Sequence, residues 1–207
     1  MPIECEFKWK ARTQEDFSRM LQVVREHFPG LVNGPLAVLN EDFYLDTPQG
    51  VWSAHNTALR LRCANGRFEA TAKSQTKMVD GKAVRKEETL PLPAAANITQ
   101  ALKMLQGKGA WLGFPVEKLE IVFTITNHRR IYNLTDANAV YELAFDDCIL
   151  SVSGRQIELK EIELELKTGD EKIFSSFAGV LKQKSGLNAP EKSKVESARA
   201  LLEDEKK

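Results

Sequence analysis

The fold class follows most directly from Glu161-Ile162-Glu163-Leu164-Glu165-Leu166, where glutamates and apolar residues alternate with a period of two. This alternation predicts a β-strand with one charged face and one apolar face. Strands with one polar face are typical of antiparallel sheets. The sequence therefore predicts a mainly antiparallel sheet, with further strands at residues 2–10, 58–63, 67–73, 120–126, 129–134 and 140–146.

The charged faces of these strands are grouped by sign. The groups are Glu161-x-Glu163-x-Glu165, Glu4-x-Glu6-x-Lys8 and Arg60-x-Arg62. Residues two apart on a strand share a face at a spacing of about 6.5–7 Å. Like charges at that spacing repel one another unless water, counter-ions or opposite charges screen them.

Two arrangements would accommodate these faces. One is an antiparallel sheet with a solvated surface, which is the ordinary explanation for a single charged strand. The other is a sheet that closes on itself with its charges inside. The recurrence of acidic and basic strands in one chain favours the closed sheet. Unpaired interior acids would then recruit Mg²⁺ or Mn²⁺, and unpaired interior arginines would hold phosphates.

Helices are predicted between the strands, where they would cover the apolar faces. Helical spacing of apolar residues occurs over residues 13–28, 98–106 and 171–184. Thr13 and Asn97 precede the first two as candidate N-caps, and Ser193 to Glu196 has the pattern of a capping box before a last helix. We expect an α+β fold, a single domain over residues 1–207 in which residues 203–207 are frayed.

Composition excludes several classes of protein. The 207 residues include 29 Lys plus Arg and 29 Asp plus Glu, so the formal net charge is zero and a uniformly basic nucleic-acid binder is not expected. No uncharged stretch is long enough to span a membrane, and the first residues lack a secretory pattern. Cys5, Cys63 and Cys148 form no CxxC pair, which favours reduced cysteines in a cytoplasmic protein.

The order of the motifs resembles the CYTH superfamily, the triphosphate tunnel metalloenzymes. Glu4-Cys5-Glu6-Phe7-Lys8 is similar to the ExExK signature of that family, and Glu161–Leu166 is similar to its acidic strand. The resemblance extends over residues 3–202. It is also carried by Tyr44–Pro48, Ala58–Arg62, Glu69–Lys73, Arg85–Glu87, Arg129, Glu142 with Asp146, and Lys194.

The resemblance implies an antiparallel eight-stranded β tunnel with a charged interior, covered by amphipathic helices. It implies metal ligands at Glu4, Glu6, Glu161, Glu163, Glu165 and Asp146. It implies phosphate-binding residues at Lys8, Arg60, Arg62, Lys73, Arg85, Arg129 and Lys194, and catalytic residues at Glu4, Glu6, Lys8, Lys73 and Glu163. Glu87 and Glu142 are further candidate acids. Which of Arg129 and Arg130 faces the tunnel stays open, as does the choice between Lys192 and Lys194.

The predicted activity is hydrolysis of inorganic triphosphate, or of a related small triphosphate, with Mg²⁺ or Mn²⁺ as cofactor. The sequence contains no glycine-rich phosphate loop, so side chains would hold the phosphates. The alternatives are a class IV adenylate cyclase, a thiamine triphosphatase and a non-catalytic polyphosphate-binding module. We expect no nucleic-acid or membrane partner. Unless an anion fills the cavity, crowding of bases is expected to depress the lysine pKa values, and an alkaline pH optimum would be consistent with that depression.

Overall fold

A computed structural model describes residues 3–74, 79 and 81–204. Eight antiparallel strands close into a barrel, as predicted. They are β1 (Ile3–Ala11), β2 (Leu31–Asp46), β3 (Thr57–Ala64), β4 (Arg67–Ser74), β5 (Lys82–Leu92), β8 (Glu120–Thr135), β9 (Val140–Val152) and β10 (Arg155–Thr168). A separate two-stranded hairpin consists of β6 (Ala110–Trp111) and β7 (Phe114–Pro115).

The strand order around the barrel is β1-β10-β9-β8-β2-β3-β4-β5, and β5 pairs with β1 to close it. Two-residue turns join β3 to β4 and β9 to β10. Asn65 and Gly66 have φ values of 50° and 73°, so the hairpin predicted at this dipeptide is confirmed. The turn predicted at Asp80-Gly81 includes Asp80, which lies outside the described residues.

Two strands of the barrel, β2 and β5, were not predicted from the alternation. β2 includes Gly34-Pro35, and its first half pairs with β8 but not with β3. Most of that half is exposed, so its apolar residues show no simple period. β5 contains the Arg85–Glu87 motif and extends to Leu92. The two segments at 120–126 and 129–134 form one continuous strand, β8.

In the described part of the chain, five helices accompany the barrel: α1 (Gln14–His27), α2 (Val51–Ala54), α3 (Ile98–Gln106), α4 (Glu171–Ser185) and α5 (Lys194–Asp204). Thr13 caps α1 in a capping box, and Asn97 caps α3, as predicted. Asp170 caps α4, which ends at Gly186 with φ 69°. Helix α5 continues to Asp204. Residues 205–207 lie outside the described part of the chain, so the expectation of a frayed end stays a prediction.

The outer face of the barrel is apolar and is covered by helices on two sides. On one side, α1 and α4 contribute Phe17, Met20 and Phe174 to a buried cluster with strand residues such as Trp9 and Tyr141. On the other side, α2, α3 and the short hairpin cover β3 and β4, and Trp52 lies at the centre of that cluster. Burying each such side chain stabilises the fold by about 1.5–3 kcal/mol.

Helix α5 does not cover the outer face, which differs from the expectation that the helices cover only outward-facing apolar residues. It packs against inward-facing residues at one end of the barrel, where Ile125, Cys148 and Leu150 surround Ala198. The inner face is therefore apolar at this end and charged elsewhere. Among the described residues, no helix combines the length and apolar character needed to cross a membrane.

Candidate active site

A cavity of about 1220 Å³ runs inside the barrel. Successive residues of a strand point to opposite faces, so each motif contributes every second residue to the cavity wall. The charged residues that line it include Glu4, Glu6, Lys8, Asp42, Arg60, Arg62, Glu69, Lys73, Arg85, Glu87, Arg129, Glu142, Glu163, Glu165, Lys167 and Lys194. The closed, charge-lined sheet is thus the arrangement that this chain adopts.

Three buried carboxylates, Asp146, Glu161 and Glu163, form what we call the carboxylate cluster. One oxygen of each lies within 4.8 Å of the others. Lys194 Nζ lies 2.5 Å from Asp146 and 3.0 Å from both glutamates. Lys8 donates to Glu163 and lies 3.4 Å from Glu161. Residues that the sequence assigns separately to metal and to phosphate therefore contact one another.

Of the adjacent Arg129 and Arg130, Arg129 is the one that faces the cavity. It lies opposite Asp146 in the β8–β9 register, and its guanidinium lies 3.3 Å from Asp146 and 3.0 Å from Glu163. Arg130 points outward, over the rings of Phe17 and Phe145. The alternation of the strand decides between them. Of the two candidate lysines, Lys194 lines the cavity from the start of α5, whereas Lys192, in the preceding loop, is exposed.

A second group of charges lies where β1, β4 and β5 meet. Lys73 Nζ donates to both oxygens of Glu4, at 3.1 and 3.2 Å, and lies 2.8 Å from Glu87. Arg85 contacts Glu6 and lies 3.3 Å from Glu4. Arg85 and Glu4 are cross-strand partners, so the sheet register places these charges together.

Asp42 is a site residue that the sequence reasoning missed. It accepts hydrogen bonds from Arg62 Nε at 2.6 Å and Nη2 at 2.8 Å, and Arg60 lies 3.6 Å away. Asp42 is only 4% exposed and holds both guanidinium groups in place. The sequence could have indicated Asp42 as a cavity residue, because it lies two residues before Tyr44 and therefore on the same face of β2.

Lys167 was also missed, although it continues the alternation of the acidic strand by two residues. Its Nζ lies 2.7 Å from Glu165 and 3.5 Å from Glu142. Glu165 is paired across the strands with Glu6 on one side and with Glu142 on the other. Three carboxylates thus adjoin in one row, where Lys167 supplies a compensating charge.

The lysine pKa values differ from the sequence expectation. Burial acts to lower the pKa of Lys8, but the charges of Glu163 and Glu161 outweigh it, so the pKa is raised. Burial likewise opposes the charged form of Lys194, yet Asp146 and the two glutamates raise its pKa well above the usual range. The expected depression by crowded bases is therefore wrong for these two lysines, because carboxylates lie closer to them than other bases do.

The pKa values of the cavity carboxylates are shifted up or down according to the charged groups beside them. Burial favours the protonated form of Glu163, but Lys194, Lys8 and Arg129 outweigh it and hold its pKa well below the usual range. Burial and the neighbouring Glu163 raise the pKa of Glu161. Burial also raises the pKa of Glu165, although Lys167 opposes this effect. For Glu4, Lys73 and Arg85 outweigh burial, so its pKa is lowered.

The donor set of the carboxylate cluster fits a hard divalent cation. All three side chains offer carboxylate oxygens, the ligands that Mg²⁺ and Mn²⁺ prefer. Asp146 Oδ1 is buried and accepts no hydrogen bond from the described residues. One carboxylate oxygen of the cluster is therefore available to a ligand even while Lys8, Arg129 and Lys194 pair with the other oxygens.

Solved structures with this fold come from several organisms. A Hippeastrum protein described as a putative adenylyl cyclase with a dominant triphosphatase activity superposes with a TM-score of 0.68, at 18% identity over 95% of both chains. The PH1819 protein of Pyrococcus horikoshii superposes with a TM-score of 0.60, at 19% identity over 97% of this chain and 99% of that one. These similarities show the fold.

The chain is also similar to a curated protein, the inorganic triphosphatase of Haemophilus influenzae. The two are 27% identical over 138 residues, which is 67% of this chain and 39% of that relative. This chain therefore matches well under half the length of the curated relative. The sequence model of the CYTH domain matches residues 2–198. That match covers nearly the whole chain, and the protein belongs to the CYTH domain family.

Proposed function

We propose that this protein is a divalent-metal-dependent hydrolase of inorganic triphosphate, or of a related small triphosphate, and that it releases the terminal phosphate. The observation that carries the proposal is a closed barrel whose interior holds arginines, lysines and carboxylates in contact with one another. A polyanion together with a cation is the ligand that this wall complements. The similarity to an inorganic triphosphatase supports the same reaction class.

In this proposal the phosphates are bound by the cationic side chains of the cavity. Arginine guanidinium groups match phosphate oxygens in a bidentate manner, and lysines add point charges. The phosphate-binding residues would be Lys8, Arg60, Arg62, Lys73, Arg85, Arg129 and Lys194. Charge on the leaving group would be stabilised by the same residues, since their side chains line the cavity.

The carboxylates would hold Mg²⁺ or Mn²⁺. The proposed ligands are drawn from Glu4, Glu6, Asp146, Glu161, Glu163 and Glu165. A divalent cation at such a site neutralises phosphate charge and polarises phosphoryl oxygens. Lys8, Lys194 and Arg129 contact carboxylates, so we infer that these cations would be shared between carboxylate and phosphate oxygens in a substrate complex.

The test is phosphate release from inorganic triphosphate, thiamine triphosphate, ATP and pyrophosphate, each with Mg²⁺, Mn²⁺ or EDTA. Metal-dependent cleavage of inorganic triphosphate in preference to ATP is the expected result. Cyclic AMP and pyrophosphate from ATP would instead identify an adenylate cyclase. Binding of triphosphate without any product would identify a polyphosphate-binding module and contradict the proposal.

A double variant tests the role of the acids on β1. Glu4→Gln with Glu6→Gln removes two carboxylates from the cavity with little change of shape. We expect hydrolysis to be abolished while triphosphate binding stays detectable by calorimetry, because the basic residues are retained. The control is Glu41→Gln with Glu158→Gln, two exposed strand positions, and should hydrolyse normally. Normal turnover by the cavity variant would refute the metal assignment.

The remaining expectations stay predictions. They are the choice between Mg²⁺ and Mn²⁺, a cytoplasmic location, and the absence of a nucleic-acid or membrane partner.

A further inference from the structure

Two asparagines interrupt the charged wall of the cavity. Asn40 on β2 and Asn127 on β8 lie directly opposite each other in the strand register. Both line the cavity, and they are 3% and 2% exposed. Neither belongs to the motifs discussed above.

The oxygen Oδ1 of Asn127 is buried and accepts no hydrogen bond from the residues that the structure describes. A buried polar atom without a partner costs about 1–3 kcal/mol, so such atoms are rare unless a ligand or water satisfies them. Asn127 also lines a cavity large enough to hold a ligand. This acceptor is therefore available to something that binds inside the barrel.

The two asparagines lie between two sets of phosphate-binding candidates. Asn127 is two residues from Arg129 on the same face of β8, and Arg129 contacts the carboxylate cluster. Asn40 is two residues from Asp42 on β2, and Asp42 holds Arg60 and Arg62. A phosphate bound by Arg129 and by the Asp42 arginines would thus lie beside the amide pair.

The chemistry of an amide oxygen restricts its partner. Ionised phosphate offers only acceptors, so it cannot satisfy Asn127 Oδ1. A water molecule can donate one hydrogen to that oxygen and still direct a lone pair at phosphorus. A neutral amide also avoids the repulsion that a carboxylate at this position would exert on the phosphates.

We propose that Asn127, supported by Asn40, is a positioning residue that holds the water molecule attacking the terminal phosphorus. The inference rests on the proposed triphosphatase function. The water oxygen forms a bond to the terminal phosphorus, and the bond from that phosphorus to the bridging oxygen breaks. The electron pair stays on the leaving pyrophosphate. One water proton remains on the orthophosphate product and the other is released to solvent.

The main test is Asn127→Leu, which keeps the approximate shape and removes the hydrogen-bonding amide. We expect kcat for triphosphate hydrolysis to fall by about 100-fold, the scale found when one positioned hydrogen bond is lost. KM, and the Kd of a non-hydrolysable triphosphate analogue, should change by less than about threefold, because the phosphate-binding residues are untouched. The thermal midpoint should not fall, since a buried unsatisfied atom is removed.

Two further variants keep the test decisive. Asn127→Ser restores a hydroxyl acceptor and should recover at least about tenfold of the lost kcat, with the pH profile unchanged because asparagine does not titrate. Asn133→Leu, at an exposed position on the same strand, should behave as the wild type.

Three results would overturn the inference. One is a kcat of Asn127→Leu within about threefold of the wild type. Another is a parallel loss of analogue binding, which would make Asn127 a substrate-binding residue. The third is a Ser variant no better than the Leu variant. A wild-type protein that hydrolyses no triphosphate would refute the proposed function and this inference together, whereas an active wild type with a normal Leu variant refutes only the inference.

Discussion

The cations of the cavity are held by carboxylates, and this pairing sets the properties of each residue. Taking a guanidinium or carboxylate out of water costs several kcal/mol, and only close opposite charges offset that cost. Arg62 satisfies the condition through its bidentate contact with Asp42, and Arg129 does so through Asp146 and Glu163. Single-residue changes here leave a buried charge without a partner, so they act on stability as well as on binding.

The Asp42→Asn variant tests how much a carboxylate stabilises the fold through the arginines that it contacts. Loss of the carboxylate removes the nearest anion from two largely buried guanidinium groups, so we expect the free energy of unfolding to fall by up to about 3–5 kcal/mol. Triphosphate should stabilise the variant more than it stabilises the wild type, because the arginines then lack a competing anion. Thermal unfolding with and without triphosphate measures both effects.

Asp147→Asn is the matched control for that change. Asp147 lies on β9 and pairs with Lys160 on the outside of the barrel at 2.7 Å. The pair is partly buried but lies on the outer surface, where such pairs contribute about 0–1 kcal/mol, so this variant should unfold almost as the wild type does. An Asp42 variant as stable as this control would mean that the Asp42–arginine contacts do not stabilise the fold.

Among the elements, α5 has a role that its length alone would not indicate. It begins at Lys194, which reaches the carboxylate cluster, and one turn later it buries Ala198 between inward-facing apolar residues. The packing of the helix therefore determines where the Lys194 ammonium lies. Helix α5 therefore connects the stability of one end of the barrel with the charge of the cavity.

The Ala198→Asp variant should affect both the stability of this end of the barrel and the position of the Lys194 ammonium. A carboxylate at this fully buried apolar position has no partner, so we expect α5 to detach or the protein to unfold at a lower temperature. Hydrolysis of triphosphate should fall because Lys194 loses its anchor. Ser197→Asp, half-buried on the same helix, is the control and should have a small effect. Unchanged thermal unfolding of the Ala198 variant would contradict the packing described here.

At the scale of the whole molecule, the closed barrel brings together charges that are distant in sequence. Lys8 and Glu163 are 155 residues apart and yet hydrogen-bonded. Acids and bases inside the barrel occur in comparable numbers, consistent with the zero net charge of the chain. A bound triphosphate adds several negative charges, which a divalent cation would help to balance.

Stability should fall on acidification. Glu4, Asp42 and Glu163 have lowered pKa values because lysines and arginines outweigh the effect of burial. Their contribution is present above the ordinary carboxyl pKa of about 4 and is lost as pH falls through the lower folded values. Glu161 and Glu165 have raised pKa values, so their contribution lowers the stability of the fold as pH rises above the ordinary carboxyl pKa.

Urea unfolding between neutral pH and about pH 3 measures this dependence. We expect the free energy of unfolding to fall steeply in the acidic range, and less steeply for Asp42→Asn, which lacks one of the responsible carboxyl groups. A stability that stays constant into the acidic range would contradict the lowered pKa values. High salt should weaken exposed pairs more than those inside the barrel.

Metal and triphosphate should bind cooperatively. If the carboxylates hold a cation, the lysines and arginines lose partners and gain affinity for phosphate, and the effect is reciprocal. The Kd of a non-hydrolysable triphosphate analogue, measured by calorimetry, is expected to decrease when Mn²⁺ is added and to increase with EDTA. Equal affinity under the two conditions would show that the two sites are not coupled.

Much of this protein was determined by local sequence. The period-two alternation identified β1, β3, β4, β9 and β10, because one face of each strand packs against helices and the other lines the cavity. The same alternation identified the cavity-lining charges of β1, β3 and the acidic strand, since side chains two apart share a face. The resemblance to the CYTH family added Lys73, Arg85, Arg129 and Lys194. It was weaker for β2, where the exposed first half carries no simple period, and for β5.

Only the tertiary structure decided which charges meet. Strand register placed Asp42 against two arginines and Asn127 beside Arg129, and the position of α5 brought Lys194 to Asp146. It also reversed the expected direction of the lysine pKa shifts, because a pKa depends on the distance to each neighbouring charge. Alternation along a strand specifies the face on which a side chain lies, but its partners across the barrel depend on how the sheet closes.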